Sequence, residues 1–371
     1  MSTQTMTNGV TTSSSNQANS PSWLEREKGF LLFLVSAFLL VGATSGTPHI
    51  AMWVGFAFAG YSAIANDSIQ TLGTFIASNA QRPWWHQWLF MGAIFLATIS
   101  YSWWAYSGDV SYQRLASKGF ATAPTEFHFL QLSAPIFLLI LTRFKMPVST
   151  TFLLLSCFAA SGKSIMAMTT KSLGGYGIAF IGSIVIWYAF GPLMKRAFKG
   201  KAHPAWRVAQ WCSTGLLWSV WLMQDMANIA VFLPRSLSLI QVSVFGLFIF
   251  LGLGLLFYKR GERIQEVVTE KADVTDVRSA TIIDLVYAVI LYIFKIKSQV
   301  PMSTTWVFIG LLAGRQLAWS LRALGPCDRM TQIRAAGKMV GKDLAFVSIG
   351  FGISLLLASL INPVIGESLF N

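Results

Sequence analysis

Two polar motifs, each set in apolar sequence, occur twice along the chain and in the same order. The first copy reads Asn66-Asp67-Ser68-Ile69-Gln70 and is followed by Pro147-Val148-Ser149-Thr150-Thr151. The second reads Gln224-Asp225-Met226-Ala227-Asn228 and is followed by Pro301-Met302-Ser303-Thr304-Thr305. Asp67 precedes Pro147 by 80 positions and Asp225 precedes Pro301 by 76. A duplication of this length is the trace of two structurally equivalent halves, and membrane proteins built that way commonly bind their ligand where the halves meet.

Composition decides that these halves belong in a bilayer. With 54% hydrophobic and 12% charged residues over 371 positions and a positive mean hydropathy, the chain has too little polar surface for a soluble globule. The expected class is all-α, a polytopic membrane protein. The net charge of +13 does not point to nucleic acid, because Lys and Arg fall between apolar runs and not along one amphipathic face. Cys157, Cys212 and Cys327 lack metal-ligand spacing and lie in or beside apolar segments, so they read as packing residues.

Residues 1–28, rich in Ser, Thr, Asn and Gln through position 21, are expected to be a disordered cytoplasmic tail. Residues 29–46 form an additional N-terminal span, retained and not cleaved, since no separate basic region leads into it. The first repeat occupies 50–194 and the second 205–362. Each opens with a long apolar run carrying its Asp (50–79 and 206–233), followed by a span (88–106 and 241–258). Next come two short apolar arms (127–141 with 152–161, then 281–294 with 306–317), and a closing span (176–194 and 344–361). An arm shorter than ~20 residues crosses poorly, so each pair predicts a re-entrant helical hairpin. The polar stretch 107–125, the charged linker 259–278 and the basic segment 321–342 are expected to be connections.

If each hairpin returns to its own side, a repeat crosses three times and the two repeats are inverted. With the N-terminus cytoplasmic, nineteen Lys and Arg then fall inside, five outside (Arg114, Lys118, Lys163, Lys171, Arg235) and four at the hairpin tips. That is the asymmetry of the positive-inside rule, and it predicts a multi-pass protein of the cell (inner) membrane.

A Pro followed by Ser-Thr-Thr is a good helix opening, with hydroxyls to satisfy free amides. Those amides, the dipole and the hydroxyls of Ser149, Thr150, Thr151, Ser303, Thr304 and Thr305 can hold an anion, and three hydroxyl residues in a row suit a tetrahedral one. A single instance would more often be a helix cap alone; the repetition reverses that preference. Asp67 and Asp225 lie where an ionised carboxylate is costly and by default functional, the bland alternative being a pair with a tip cation. Beside an anion they need neutralising, by sodium or by protons, so binding of the anion would depend on a cation. Gln70 and Asn228, three residues on, share the face of their Asp and add amide oxygens, and Asn66 and Gln224 precede it. The tip cations Arg143, Lys145, Lys295 and Lys297 serve equally well to draw in anions or to snorkel to headgroups.

These motifs resemble the inorganic phosphate transporter family, the PiT-type permeases, which carry Gly-Ala-Asn-Asp-x-x-Asn and Pro-Val-Ser-Thr-Thr-His signatures in each half. The likeness runs from about residue 50 to the end. It implies roles for Asp67, Asp225 and Asn228 in cation and substrate binding, and contacts to the anion from the two hydroxyl triplets. The chain departs from the signatures at Ile64 and Leu222 (for Gly), Phe152 and Trp306 (for His), and Gln70 and Gln224 (for Asn).

The expected function is a secondary active transporter that imports an inorganic oxyanion, phosphate first, with sodium or protons, by alternating access. Sulfate or bicarbonate carriage, or an anion channel on the same scaffold, are the alternatives. Substrate binding is assigned to Asn66, Asp67, Ser149, Thr150, Thr151, Asp225, Ser303, Thr304 and Thr305, and the cation to Asp67, Gln70, Asp225 and Asn228. An intramembrane aspartyl protease would use two carboxylates, but neither Asp has the Tyr-Asp or Gly-x-Gly-Asp surroundings, so no enzyme is expected. No cofactor is expected beyond the coupling ion. The partners are the small anion and the bilayer, with a homodimer left open.

Overall fold

A computed structural model describes residues 23–117, 119–144, 146, 148–259, 276–322 and 326–370. The tail up to residue 22, Lys118, Lys145, Pro147, most of the charged linker, and the side chains of Gln70 and Cys327 lie outside the described residues. The described chain is helical, without strands. Its first half contains α1 (Trp23–Thr44), α2 (Pro48–Ser78), α3 (Trp84–Ala105), α4 (Phe129–Arg143), a π-helical turn (Thr151–Leu155) running into a 3-10 turn (Ser156–Phe158), and α5 (Gly162–Ala197). The second half contains α6 (Ala205–Ala230), α7 (Leu239–Tyr258), α8 (Val277–Lys297), α9 (Thr304–Leu321), α10 (Pro326–Ile361) and α11 (Pro363–Phe370). Among the described residues six helices, α1, α3, α5, α7, α8 and α10, are long and apolar enough to cross a membrane, which makes this a multi-pass membrane protein.

Several boundaries differ from expectation for local reasons. Helix α1 begins at Trp23, inside the stretch read as tail. Helix α8 has 21 residues, about 31 Å at ~1.5 Å each, so this arm is long enough to cross. Its start is pulled back because Asp276 caps it through Arg278 N (2.8 Å) and pairs with the Arg278 guanidinium (2.6 Å). At its other end Lys295 and Lys297 sit in the last turn, where the helix dipole favours cations. The basic segment is no separate connection either: α10 runs 36 residues, since its Arg, Lys, Ala, Met and Gln form helix readily and no proline interrupts it after Pro326. Cys157 is buried as expected of a packing residue, whereas Cys212 is exposed.

Helix α2 packs against α4 and α6, α6 against α8, and α3 against α7. The closing helices cross over. Helix α5 lies along α9 of the other half, and α10 lies against the short turns that follow α4. A Cβ at Gly310 would meet Tyr176 O at 2.6 Å and one at Gly314 would meet Phe180 O at 2.2 Å, so only glycine lets the α9 and α5 backbones touch. Ser183 of α5 closes the seam with a 2.6 Å bond to Leu311 O.

The stretch between α3 and α4 is a folded cap, with Val110, Tyr112, Leu115 and Phe120 buried. Asp109 organises it by accepting from Ser111 N (2.7 Å) and Gln113 N (2.6 Å). Gly108 takes a φ of +97° and lies against Ser236, with room for no side chain. Leu237 N donates to Gly108 O (2.9 Å), Trp103 Nε1 to Leu237 O (2.7 Å) and Ser236 Oγ to Ser107 O (2.7 Å). Arg235 adds bonds to Phe120 O (3.0 Å) and Thr122 O (2.9 Å), so the two halves are laced together along this rim.

Candidate functional site

Ser149, Thr150 and Thr151 open the π-helical turn and Ser303, Thr304 and Thr305 open α9, and all six are buried. Ser149 Oγ accepts from Phe152 N at 3.3 Å and Ser303 Oγ from Trp306 N at 3.2 Å. The two serines therefore cap their own helical turns, as the plainer reading has it. The threonines behave differently. Thr304 Oγ1 donates to Asp225 Oδ2 at 2.6 Å, and Thr151 Oγ1 lies 3.4 Å from Asp225 Oδ1 and 3.1 Å from Met302 O. One carboxylate thus gathers hydroxyls from both triplets. All six hydroxyl residues are at most 5% exposed, Thr305 among them, so neither triplet faces lipid.

Helices α2 and α6 supply the acids and amides, and each element has its polar residues on the inward face because its other faces meet apolar neighbours. Asp225 Oδ1 also accepts from Asn228 Nδ2 at 3.0 Å, the i, i+3 contact expected from spacing. Asn66 Nδ2 reaches Asp67 Oδ1 (2.7 Å), Thr150 Oγ1 (3.5 Å) and Val148 O (3.5 Å). Asp67 and Asp225 lie within electrostatic range of each other. Asp67 Oδ2, Asn228 Oδ1 and Gln224 Oε1 are buried acceptors with no hydrogen-bond partner. Leaving such an oxygen bare costs about 1–3 kcal/mol, and a hard cation takes oxygen ligands of this kind. Among the described residues no group of three or more His, Cys, Asp or Glu could hold a metal ion, so oxygen donors of mixed type are what this region offers.

The positions where the resembling family has His are aromatic and pack together. Phe152 and Trp306 have ring centroids 4.9 Å apart, and Phe351 of α10 lies 4.8 Å and 5.8 Å from them. The tip cations divide. Arg143 pairs with Glu27 of α1 at 2.5 Å, a structural strut, while Lys295 reaches across to Tyr112 O of the first half at 3.4 Å. Neither Asp67 nor Asp225 pairs with a tip cation among the described residues.

Of the buried charges that escaped the sequence reading, two lie deepest. Asp284 of α8 is 1% exposed and accepts from Thr74 Oγ1 (2.8 Å) and Thr214 Oγ1 (2.5 Å). The rule that singled out Asp67, an acid inside an apolar run, applies equally to Asp284 and would have found it. Arg114 is fully buried, and in a stretch read as a polar connection nothing marked it.

Fold and site together define an all-helical, multi-pass membrane protein with a buried cluster of hydroxyls, amides and carboxylates between its two halves. No family model matches the chain, and no curated protein matches it. A solved structure described as "The sodium-dependent phosphate transporter" is similar to it, with a TM-score of 0.49 and 16% sequence identity, covering 84% of this chain and 98% of that one.

Proposed function

We propose that this protein is a secondary active transporter of a small inorganic oxyanion, with phosphate the first candidate. The observation that carries the proposal is Asp225 bound by hydroxyls from both triplets, Thr151 and Thr304, in a buried interior. Thr150, Thr151, Thr304 and Thr305 form the wall that turns to the anion, with Ser149 and Ser303 fixing the turns that present them. Asp67 and Asp225, with Asn66, Asn228 and the amide of Gln70, hold the coupling ion. Sodium or a proton there cancels the repulsion between two carboxylates and an anion, so the anion enters only with its cation. The bare oxygens of Asp67 and Asn228 favour an ion ligated by oxygen.

The two halves are inverted repeats in this reading, and alternating access exposes the cluster to each side in turn. The N-terminus is cytoplasmic and the membrane is the cell (inner) membrane. Aromatic packing of Phe152, Trp306 and Phe351 leaves no imidazole to donate to the anion, so recognition depends on hydroxyls and backbone amides. The test is uptake of labelled phosphate, sulfate and bicarbonate into proteoliposomes with and without an inward sodium or proton gradient. Concentrative uptake driven by one cation is the expected result. Flux that only runs down the anion's own gradient assigns the scaffold to a channel, and no flux of any of the three ends the proposal.

A further inference from the structure

Arg114, in the cap between α3 and α4, is 0% exposed. Its Nη1 donates to Ser298 O and, at 3.4 Å, to Val300 O, the carbonyls of the turn that leads into the second hydroxyl triplet. Lys171 of α5 donates to the same two carbonyls, at 3.0 Å and 2.5 Å. Lys295, at the end of α8, reaches Tyr112 O at 3.4 Å and Gln299 Oε1 at 3.3 Å. Three cations from three elements thus stand around one turn, and Lys171 lies within electrostatic range of the other two.

Nothing negative is bonded to them among the described residues. Asp109, the acid on the Lys295 side, spends both oxygens on Ser111 N and Gln113 N. Asp225, on the Arg114 side, is held by Thr304, Asn228 and Thr151. The Nε and Nη2 groups of Arg114 are buried without a partner. Arg235 in the neighbouring loop is the contrast, because its three nitrogens reach four carbonyls, Phe120, Val231, Leu233 and Thr122. A buried guanidinium needs its donors filled, and Arg235 shows what a purely structural one looks like here. Burial pushes Arg114 down to about 10, with Asp225 acting in the opposite sense, so it is charged at neutral pH. A cavity of about 650 Å³ opens beside the same turn, where Lys163, Lys171 and Lys297 stand among Met166, Ala167 and Phe294; of the three cations around the turn, Lys171 is the one that lines it.

We propose that Arg114, Lys171 and Lys295 form a second anion site, a waiting station where a tetrahedral oxyanion rests before it passes along the 298–303 segment to the hydroxyl cluster. The proposal rests on the transporter reading above. A phosphate group can come from free phosphate or from a lipid headgroup, and the test separates them.

The probes are labelled phosphate and sulfate, titrated onto the full chain in phosphatidylcholine nanodiscs with and without phosphatidylglycerol. Lys171→Gln and Lys295→Gln are expected to weaken binding about tenfold each, the loss of one charge-assisted hydrogen bond, and Arg114→Gln more. Arg114→Lys recovers part of it. If Arg114→Gln does not fold, the two lysine variants decide. A Thr304→Val variant retains saturable binding at the station, which Lys171→Gln added to it weakens about tenfold. Unchanged binding in folded Lys171→Gln and Lys295→Gln overturns the proposal. So does a Lys171-dependent stabilisation by phosphatidylglycerol that free phosphate does not match. Wild-type transport by Thr304→Val with loss of binding in Lys171→Gln sinks the hydroxyl-cluster reading and leaves the station standing.

Discussion

The two hairpin tips carry the same Ser-Thr-Thr triplet and are held in opposite ways. After Thr304 comes an 18-residue α-helix, locked to α5 through Gly310 and Gly314. After Thr150 come only a five-residue π-helical turn and a three-residue 3-10 turn, resting on α10. The second tip therefore has a full row of aligned peptide dipoles behind it, and the first has almost none. The anchoring cations differ too. Arg143 bonds outward to Glu27, while Arg114 and Lys171 bond to the carbonyls of the second tip itself. The two copies of the motif keep their polar groups while their supports differ, and the second copy carries more of the fixed geometry.

That asymmetry can be broken experimentally. Gly314→Val has the largest expected effect: a Cβ 2.2 Å from Phe180 O forces α9 off α5, and monodisperse protein should be lost in fluorescence-detected size exclusion. Gly350→Ala, at the matching contact of the first half, meets only Val148 at 3.2 Å and should be tolerated; equal damage in both would refute the comparison. Asp225→Asn should reduce uptake at least about a hundredfold, from two charged hydrogen bonds of about 1.5 kcal/mol each. Asp67→Asn, with one bonded and one bare oxygen, should cost about tenfold, and identical losses would argue for equivalent halves. Next comes Thr304→Val against Thr150→Val, expected to lower transport about tenfold and about threefold, read as initial rates. Least is Glu27→Ala: its pair with Arg143 is partly exposed, so it should contribute about 0.5 kcal/mol or less and shift the melting temperature by a degree or two.

The polar motifs made the site legible because a buried carboxylate or hydroxyl triplet is costly in lipid and stands out against apolar neighbours. Asp67 and Asp225 stand out as acids in apolar runs, and spacing gives the contact of Asn228 with Asp225; that Thr151 and Thr304 both bond Asp225 is not readable from the motifs, which point the hydroxyls at an anion. The class, helical and membrane-spanning, followed from composition. The length of α8 was not readable, since its ends are set by a cap and a dipole and not by hydropathy. The fusion of the basic segment 321–342 with the last span is not visible in hydropathy, which marks where the lipid ends and not where the helix does. Arg114 was hidden for another reason. A polar stretch with Gly and Ser reads as open loop, and only the tertiary fold reveals that Asp109 and left-handed Tyr112 and Gln113 wind it into a buried cap.

The lacing between the 106–128 and 231–238 loops bears on how the protein moves. Gly108, Trp103, Ser236 and Arg235 stitch one half to the other at this end, so parting the halves here means surrendering five or more hydrogen bonds at once. A gate is cheaper to build from an element with few ties. In the transporter reading proposed above, the moving element lies away from this rim, and a crosslink across the laced loops is expected to leave uptake running.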